Sequence, residues 1–281
     1  MKDRTISSIV ILAIALALVV FSKYIVYPLG LVALAIVVMF EMLRVLGVHK
    51  TPAIAIPAYA LAASFPLGAY FVKPETAIAF LLALAGSMFI YLLWIMGISV
   101  FSKGKIPFSC ISEVFVAVVY LTVSITSLSL LRYFNEASGV WMVVLVFVIS
   151  WVSDTAAFAV GSLIGKHKLI PEISPKKTVE GAMGGIVFAA LCCVIYGYGL
   201  DLIFANASVN YLVLALCGTI LSVVSQLGDL VASLIKREHG VKDYGTILPG
   251  HGGLMDRFDS VLAVSTILLI ICIIYPPFVF N

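Results

Sequence analysis

The residues able to do chemistry are concentrated between Ser233 and Asp259, SLIKREHGVKDYGTILPGHGGLMDRFD. Lys236, Arg237, Glu238, His239, Lys242, Asp243, His251, Asp256, Arg257 and Asp259 fall within these 27 residues. Charged residues make up only 11% of the chain, so the concentration needs a cause. Gly240, Gly245, Gly250, Gly252, Gly253 and Pro249 oppose a continuous helix through the middle. The pattern predicts a helix leaving an apolar layer, a glycine-rich polar loop, and a helix re-entering with Asp256, Arg257 and Asp259 at its start. Asp256 and Asp259, three residues apart, point to nearly one side of that helix. Upstream, Asp154 and Asp229 interrupt apolar helices, where an aspartate near the centre costs about 2.5–3.5 kcal/mol to insert. Such a residue faces a polar cavity, a partner or an ion; an interhelical hydrogen bond or ion pair is the plainer alternative. Asp229 shares its face with Ser225 and Ser233, one helical turn to either side, and with Lys236 beyond. Carboxylates from separate helices suit Mg²⁺, which takes oxygen ligands, keeps waters and often bridges substrate phosphates.

Carboxylates alone are weak evidence for a metal; a lysine-rich loop beside them strengthens it, because triphosphate chemistry needs both. Ser174-Pro175-Lys176-Lys177-Thr178 reads as a rigid turn presenting two ammonium groups. Thr178 is placed to cap the next helix, whose N-terminus can help hold phosphate oxygens. Standing alone, such lysines are as readily topology signals or anionic-lipid contacts. Gly161 to Lys166 has a superficial likeness to a phosphate-binding P-loop, but it is one residue short and has His167 where Ser or Thr belongs. Ala157, Gly161 and Gly165, spaced by four, are better read as a close helix-packing face. His49, His167, His239 and His251 have no zinc-helix spacing. His251, between two glycines, is the one best placed to touch a ligand. The five cysteines form no C-x-x-C pair and read as small buried hydrophobes.

The elements that must position these groups are membrane helices. With 63% hydrophobic residues and a mean hydropathy of +1.18, repeated apolar runs indicate an all-α polytopic integral membrane protein. Nine segments can be marked: 5–22, 27–47, 53–72, 76–101, 110–131, 138–163, 181–205, 208–235 and 254–279. The first is longer than a signal-peptide core and is kept as a span. Residues 1–137 read as a scaffold of helices with few ionisable groups, and 138–281 as the catalytic region. With nine spans, alternation places fourteen of the 17 lysines and arginines on the side of the N-terminus, leaving Lys23, Lys73 and Arg132 opposite. That bias puts the N-terminus and the polar loops in the cytosol. The net charge of +3 gives no ground to expect a nucleic-acid partner. A transporter using the buried aspartates as an ion path is the competing class. The gathering of polar groups at one face speaks against it.

The run S-x-x-K-R-x4-K-D-x-G-x2-L-P-G-H-G-G-x2-D-R-x-D resembles the signature of the phosphatidate cytidylyltransferases, also called CDP-diacylglycerol synthases. It is carried by Ser233, Lys236, Arg237, Lys242, Asp243, Gly245, Leu248, Pro249, Gly250, His251, Gly252, Gly253, Asp256, Arg257 and Asp259. The upstream D-T-A-A-F-x2-G…G-K…S-P-K-K-T-x-E-G run is also similar to that family. The likeness covers about residues 150–260. It implies transfer of the cytidylyl group of CTP to phosphatidate, with release of pyrophosphate and dependence on Mg²⁺. It implies a homodimer in the bacterial inner membrane, with a polar cavity open to the cytosol and the bilayer. Asp229 and Asp256 match the family's metal-binding acids. The expected cofactor is Mg²⁺ at two sites, with a monovalent cation as a further candidate. Asp229, Asp256, Lys236 and Asp259 are the expected catalytic groups. Lys176, Lys177, Thr178, Ser233, Arg237, Lys242, Asp243, His251 and Arg257 are the expected substrate contacts.

Overall fold

The computed structural model describes residues 17, 19–133, 135–247 and 252–280. Its long helices are α1 (Val26–Val45), α2 (Pro52–Gly68), α3 (Ala77–Phe101), α4 (Phe108–Tyr133), α5 (Gly139–Ile164), α6 (Val179–Ile203), α7 (Tyr211–Glu238) and α8 (Met255–Ile274). With a short 3₁₀ extension of α2 and of α3, all eight are long and apolar enough to cross a bilayer. About 20 apolar residues at a rise of about 1.5 Å span the hydrocarbon layer. Helices suit that layer because each backbone N–H and C=O finds its partner within the segment. The protein is thus an all-α polytopic membrane protein. The ninth expected span, 5–22, lies largely outside the described residues.

The described chain divides into two compact units, one reaching Leu130 and including Val241–Arg257, the other Leu131–Gly240 with Phe258 onward. In the first unit α1 packs on α2 and α2 on α3. Its core includes Met39, Met42, Leu43 and Ile54, all buried. Buried hydroxyls spend their bonds on neighbouring helices: Tyr27 Oη donates to Leu128 O at 3.2 Å and Ser129 Oγ to Pro66 O at 2.8 Å. α1 stops because Gly47 takes a left-handed φ of +75°, letting Gly47 N–H reach Arg44 O and Val48 N–H reach Leu43 O. This is the Schellman termination that a residue with a Cβ would resist.

In the second unit α5, α6 and α7 pack against one another along small residues. A Cβ on Gly181 would lie 2.5 Å from Ala157 O and 3.1 Å from Gly161 Cα. The Ala157–Gly161–Gly165 face is therefore where α6 and its cap meet α5, as the spacing predicts. A Cβ on Gly218 would lie 2.6 Å from Ala190 Cα, and one on Gly228 2.8 Å from Ala263 Cβ, so α6–α7 and α7–α8 use the same device. Ser153 and Ser222 hydroxyls join α5 to α7 at 2.7 Å.

Two local expectations change. Residues 174–178 form not a turn but strand β2 (Ser174–Thr178), paired antiparallel with β1 (Lys168–Ile170). Lys236 lies in α7, as the face shared with Asp229 predicts, and the helix runs to Glu238 before Gly240, at φ +65°, ends it. The last apolar segment stops at Ile274, because Pro276 and Pro277 supply no N–H for further helix. The chain then forms β4 (Phe278–Phe280), which pairs with β3 (Ala207–Val209). Around that strand pair Trp141, Phe204, Tyr196, Phe278 and Phe280 make ring contacts. This is an aromatic end suited to a lipid headgroup boundary.

Candidate active site

The opposite end of the second unit is polar, and its geometry begins with the link between α5 and α6. Thr178 caps α6, its Oγ accepting from Gly181 N at 3.1 Å, and it is buried. Glu180 reaches back to the end of α5, accepting from Lys166 N at 3.1 Å and His167 N at 3.2 Å, with His167 Nδ1 at 2.6 Å. These contacts fix the β1–β2 hairpin on the helix ends. Alternation along β2 leaves Lys176 exposed and turns Lys177 inward.

Lys177 Nζ lies 2.6 Å from Asp229 Oδ2, and Ser233 Oγ, one turn further along α7, lies 3.4 Å from Asp229 Oδ1. Asp229 is nine residues before the end of α7, roughly 14 Å inside the helix. Asp154 of α5 and Asp259 of α8 both feel the charge of Asp229. Ser260 Oγ donates to Asp154 Oδ2 at 3.2 Å, and Ser260 N–H donates to Asp259 Oδ1 at 2.7 Å. Lys177 attracts Asp154, and Lys236, itself buried, attracts Asp259. Arg237 is exposed and directs Nε to Ile173 O at 3.5 Å, a weak tie between α7 and the hairpin.

The first unit contains the other part of the signature. Asp256 Oδ2 accepts two backbone hydrogen bonds, from Tyr244 N at 2.8 Å and Gly253 N at 2.9 Å. Gly252 has φ +81°, and a Cβ there would meet Asp256 Oδ2 at 2.8 Å and the Asp243 side chain at 3.2 Å. Only glycine lets the loop close over this carboxylate. Lys242, Asp243 and Arg257 are exposed. His251 lies outside the described residues. The cluster of Asp229, Lys177, Asp259, Lys236 and Ser233 is therefore brought together in one unit, while Asp256 and Asp243 sit beside the loop in the other.

Sequence reasoning passed over two residues of α1. Glu41 is fully buried and accepts from Leu254 N at 3.1 Å and Met255 N at 2.8 Å. Arg44 donates from Nη2 to Tyr244 O. The available signal was an acid and a base three residues apart in an otherwise apolar segment.

The second-unit cluster offers a divalent cation hard oxygen donors, and an oxygen of Asp229 is already engaged by a cationic ammonium. Among the described residues no three acids form a metal-holding group of their own. Mg²⁺ is commonly bound through one or two carboxylates, with substrate phosphates and water completing its shell, so the residues present fit it.

A membrane-spanning helical protein with acids and lysines gathered at one end of its second unit is the class this fold and cluster define. The chain belongs to the cytidylyltransferase family, whose model it matches over residues 2–275, and it is a nucleotidyltransferase. It is 33% identical to the phosphatidate cytidylyltransferase of Staphylococcus haemolyticus over 280 residues, 97% of this chain and 99% of that protein. The phosphatidate cytidylyltransferases of Staphylococcus epidermidis and Staphylococcus aureus are 40% and 38% identical over 181 and 179 residues. Each of these alignments covers 64% of this chain and 65% of the relative.

Proposed function

We propose that this enzyme transfers the cytidylyl group of CTP to phosphatidate, giving CDP-diacylglycerol and pyrophosphate. A phosphate oxygen of the lipid attacks the α-phosphorus of CTP. The bond from that phosphorus to the oxygen bridging the β-phosphorus breaks, and pyrophosphate leaves with the electron pair. The lipid phosphate is already anionic, so the step needs positioning and charge stabilisation more than a strong base. The observation that carries this reading is the meeting of Asp229, Asp154 and Asp259 with Lys177 and Lys236 at the polar end of the second unit. A soluble triphosphate and a lipid phosphate can both be reached only from such an interfacial position.

Asp229 and Asp256 would hold Mg²⁺, which when bound neutralises the triphosphate and assists pyrophosphate departure. Two such sites are proposed, with a monovalent cation as a further candidate. Lys177 and Lys236 balance the carboxylates and can pass to phosphate oxygens as CTP binds. Lys176, Arg237, Lys242 and Arg257, all exposed, are assigned to phosphate contacts. Ser233 and Thr178 are assigned to orienting the site, and Asp243 and His251 to substrate binding from the loop. A homodimer in the cell membrane, with the active site and N-terminus facing the cytosol, completes the reading. The one-sided distribution of lysine and arginine supports the orientation.

The test is pyrophosphate release by the detergent-purified protein given CTP, Mg²⁺ and phosphatidate, with each omitted in turn and the lipid product identified by mass. Phosphatidate-dependent pyrophosphate with CDP-diacylglycerol is the expected result. Release of CDP instead of pyrophosphate would mark a lipid kinase. Solute flux in sealed vesicles without CTP consumption would replace the enzyme by a transporter.

A further inference from the structure

We infer that Glu41 is a positioning residue for cytidylyl transfer, acting through the loop that carries Asp256; this rests on the proposed function. The geometry is closed on three sides within the first unit. Leu254 N–H and Met255 N–H, at the start of α8, donate to different oxygens of Glu41, Oε1 at 3.1 Å and Oε2 at 2.8 Å. Two glycines allow this approach: a Cβ on Gly253 would lie 2.4 Å from Glu41 Oε1, and one on Gly245 would overlap the same oxygen. Arg44, three residues further along the same helix, donates to Tyr244 O, and Tyr244 is fully buried. The N–H of Tyr244 and that of Gly253 both donate to Asp256 Oδ2. One helix of the first half thus grips the loop at two points, and the gripped residues are those that orient Asp256.

Physical considerations explain why an acid is used. Helix α8 begins with backbone N–H groups lacking intrahelical acceptors, and buried N–H groups must be paired. A carboxylate can accept two of them at once and is favoured beside a helix N-terminus. Glutamine has the same shape but one oxygen, so one N–H would face the NH₂ group. Buried donors left unpaired in this way shift the backbone to find partners. Asp256 takes its orientation from the adjacent backbone, so it would move with it. Displacements of about 1 Å at a reacting centre can cost on the order of 100-fold in rate.

The experiment compares Glu41→Gln with the unaltered full-length protein in detergent. It measures melting temperature, amide hydrogen exchange across residues 241–256, and kinetics with CTP, phosphatidate and Mg²⁺ each varied. The expected result is a folded variant with faster exchange in 241–256 and a kcat lowered roughly 10- to 100-fold. Half-maximal activity should need more Mg²⁺, with KM for phosphatidate unchanged. Glu41→Asp, which keeps both oxygens on a shorter arm, should recover part of kcat. A folded Glu41→Gln protein with unaltered exchange and kcat would overturn the proposal. Failure of Glu41→Gln to fold would also overturn it, making Glu41 a determinant of stability alone. If the unaltered protein makes no CDP-diacylglycerol, the reaction assignment fails, while the exchange measurement still reports whether Glu41 holds the loop.

Discussion

Asp229 illustrates how much one side chain depends on its company. Its interruption of an apolar helix, and the serines on its face, are visible in the sequence. Its ion pair with Lys177 joins residues from β2 and α7 and is not, because no local spacing relates them. Asp229→Asn and Asp256→Asn should each lower kcat by more than about 10³-fold, comparable to or beyond the loss of a key charge-stabilising group. Each should leave the melting temperature within a few degrees, as pyrophosphate release and thermal unfolding would check. Normal turnover in both would remove them from the metal assignment. Lys177→Met keeps the apolar stem but removes the ammonium, so its kcat should fall about 10²–10³-fold. The same substitution leaves Asp229 facing Asp154 and Asp259 without its counter-ion. Raising the Mg²⁺ concentration should therefore restore part of the lost rate.

At the scale of elements, the seam between α5 and α6 is the most exacting feature. Gly161 and Gly181 meet backbone to backbone, so Gly181→Val must separate the helices or strain them. A loss of about 1–3 kcal/mol is expected from such overpacking, measurable as a lower unfolding temperature in detergent. Gly199, also in α6, has open space where a Cβ would stand, so Gly199→Ala should be neutral or slightly stabilising. The contrast separates packing from helix propensity. Thr178→Ala should cost about 1 kcal/mol through loss of the cap, and should loosen the hairpin that carries Lys177. The small-residue spacing made this seam legible in advance. The strand at 174–178 was not, because Ser-Pro-Lys-Lys has turn composition and its strand geometry comes from pairing with 168–170.

For the whole molecule, the testable claim is sidedness. In a protein lacking its five cysteines, single cysteines at Lys50, Lys105 and Lys242 should react with an impermeant reagent only when the cytosolic face is opened. One at Lys73 should react in intact cells. Labelling of the Lys50, Lys105 and Lys242 positions in intact cells would overturn the orientation. The spanning helices, the place of the polar cluster in the chain and the family signature were determined by sequence alone. Hydropathy, helical period and motif spacing are local properties, and the lipid layer rewards them directly. Only the tertiary structure decided that Lys177 meets Asp229, that Ser260 links Asp154 and Asp259, and that Glu41 and Arg44 of α1 hold the loop before α8. Those contacts depend on how each helix is rotated about its axis, which glycine and alanine seams set through close packing. A chain position cannot express that rotation until the helices are packed.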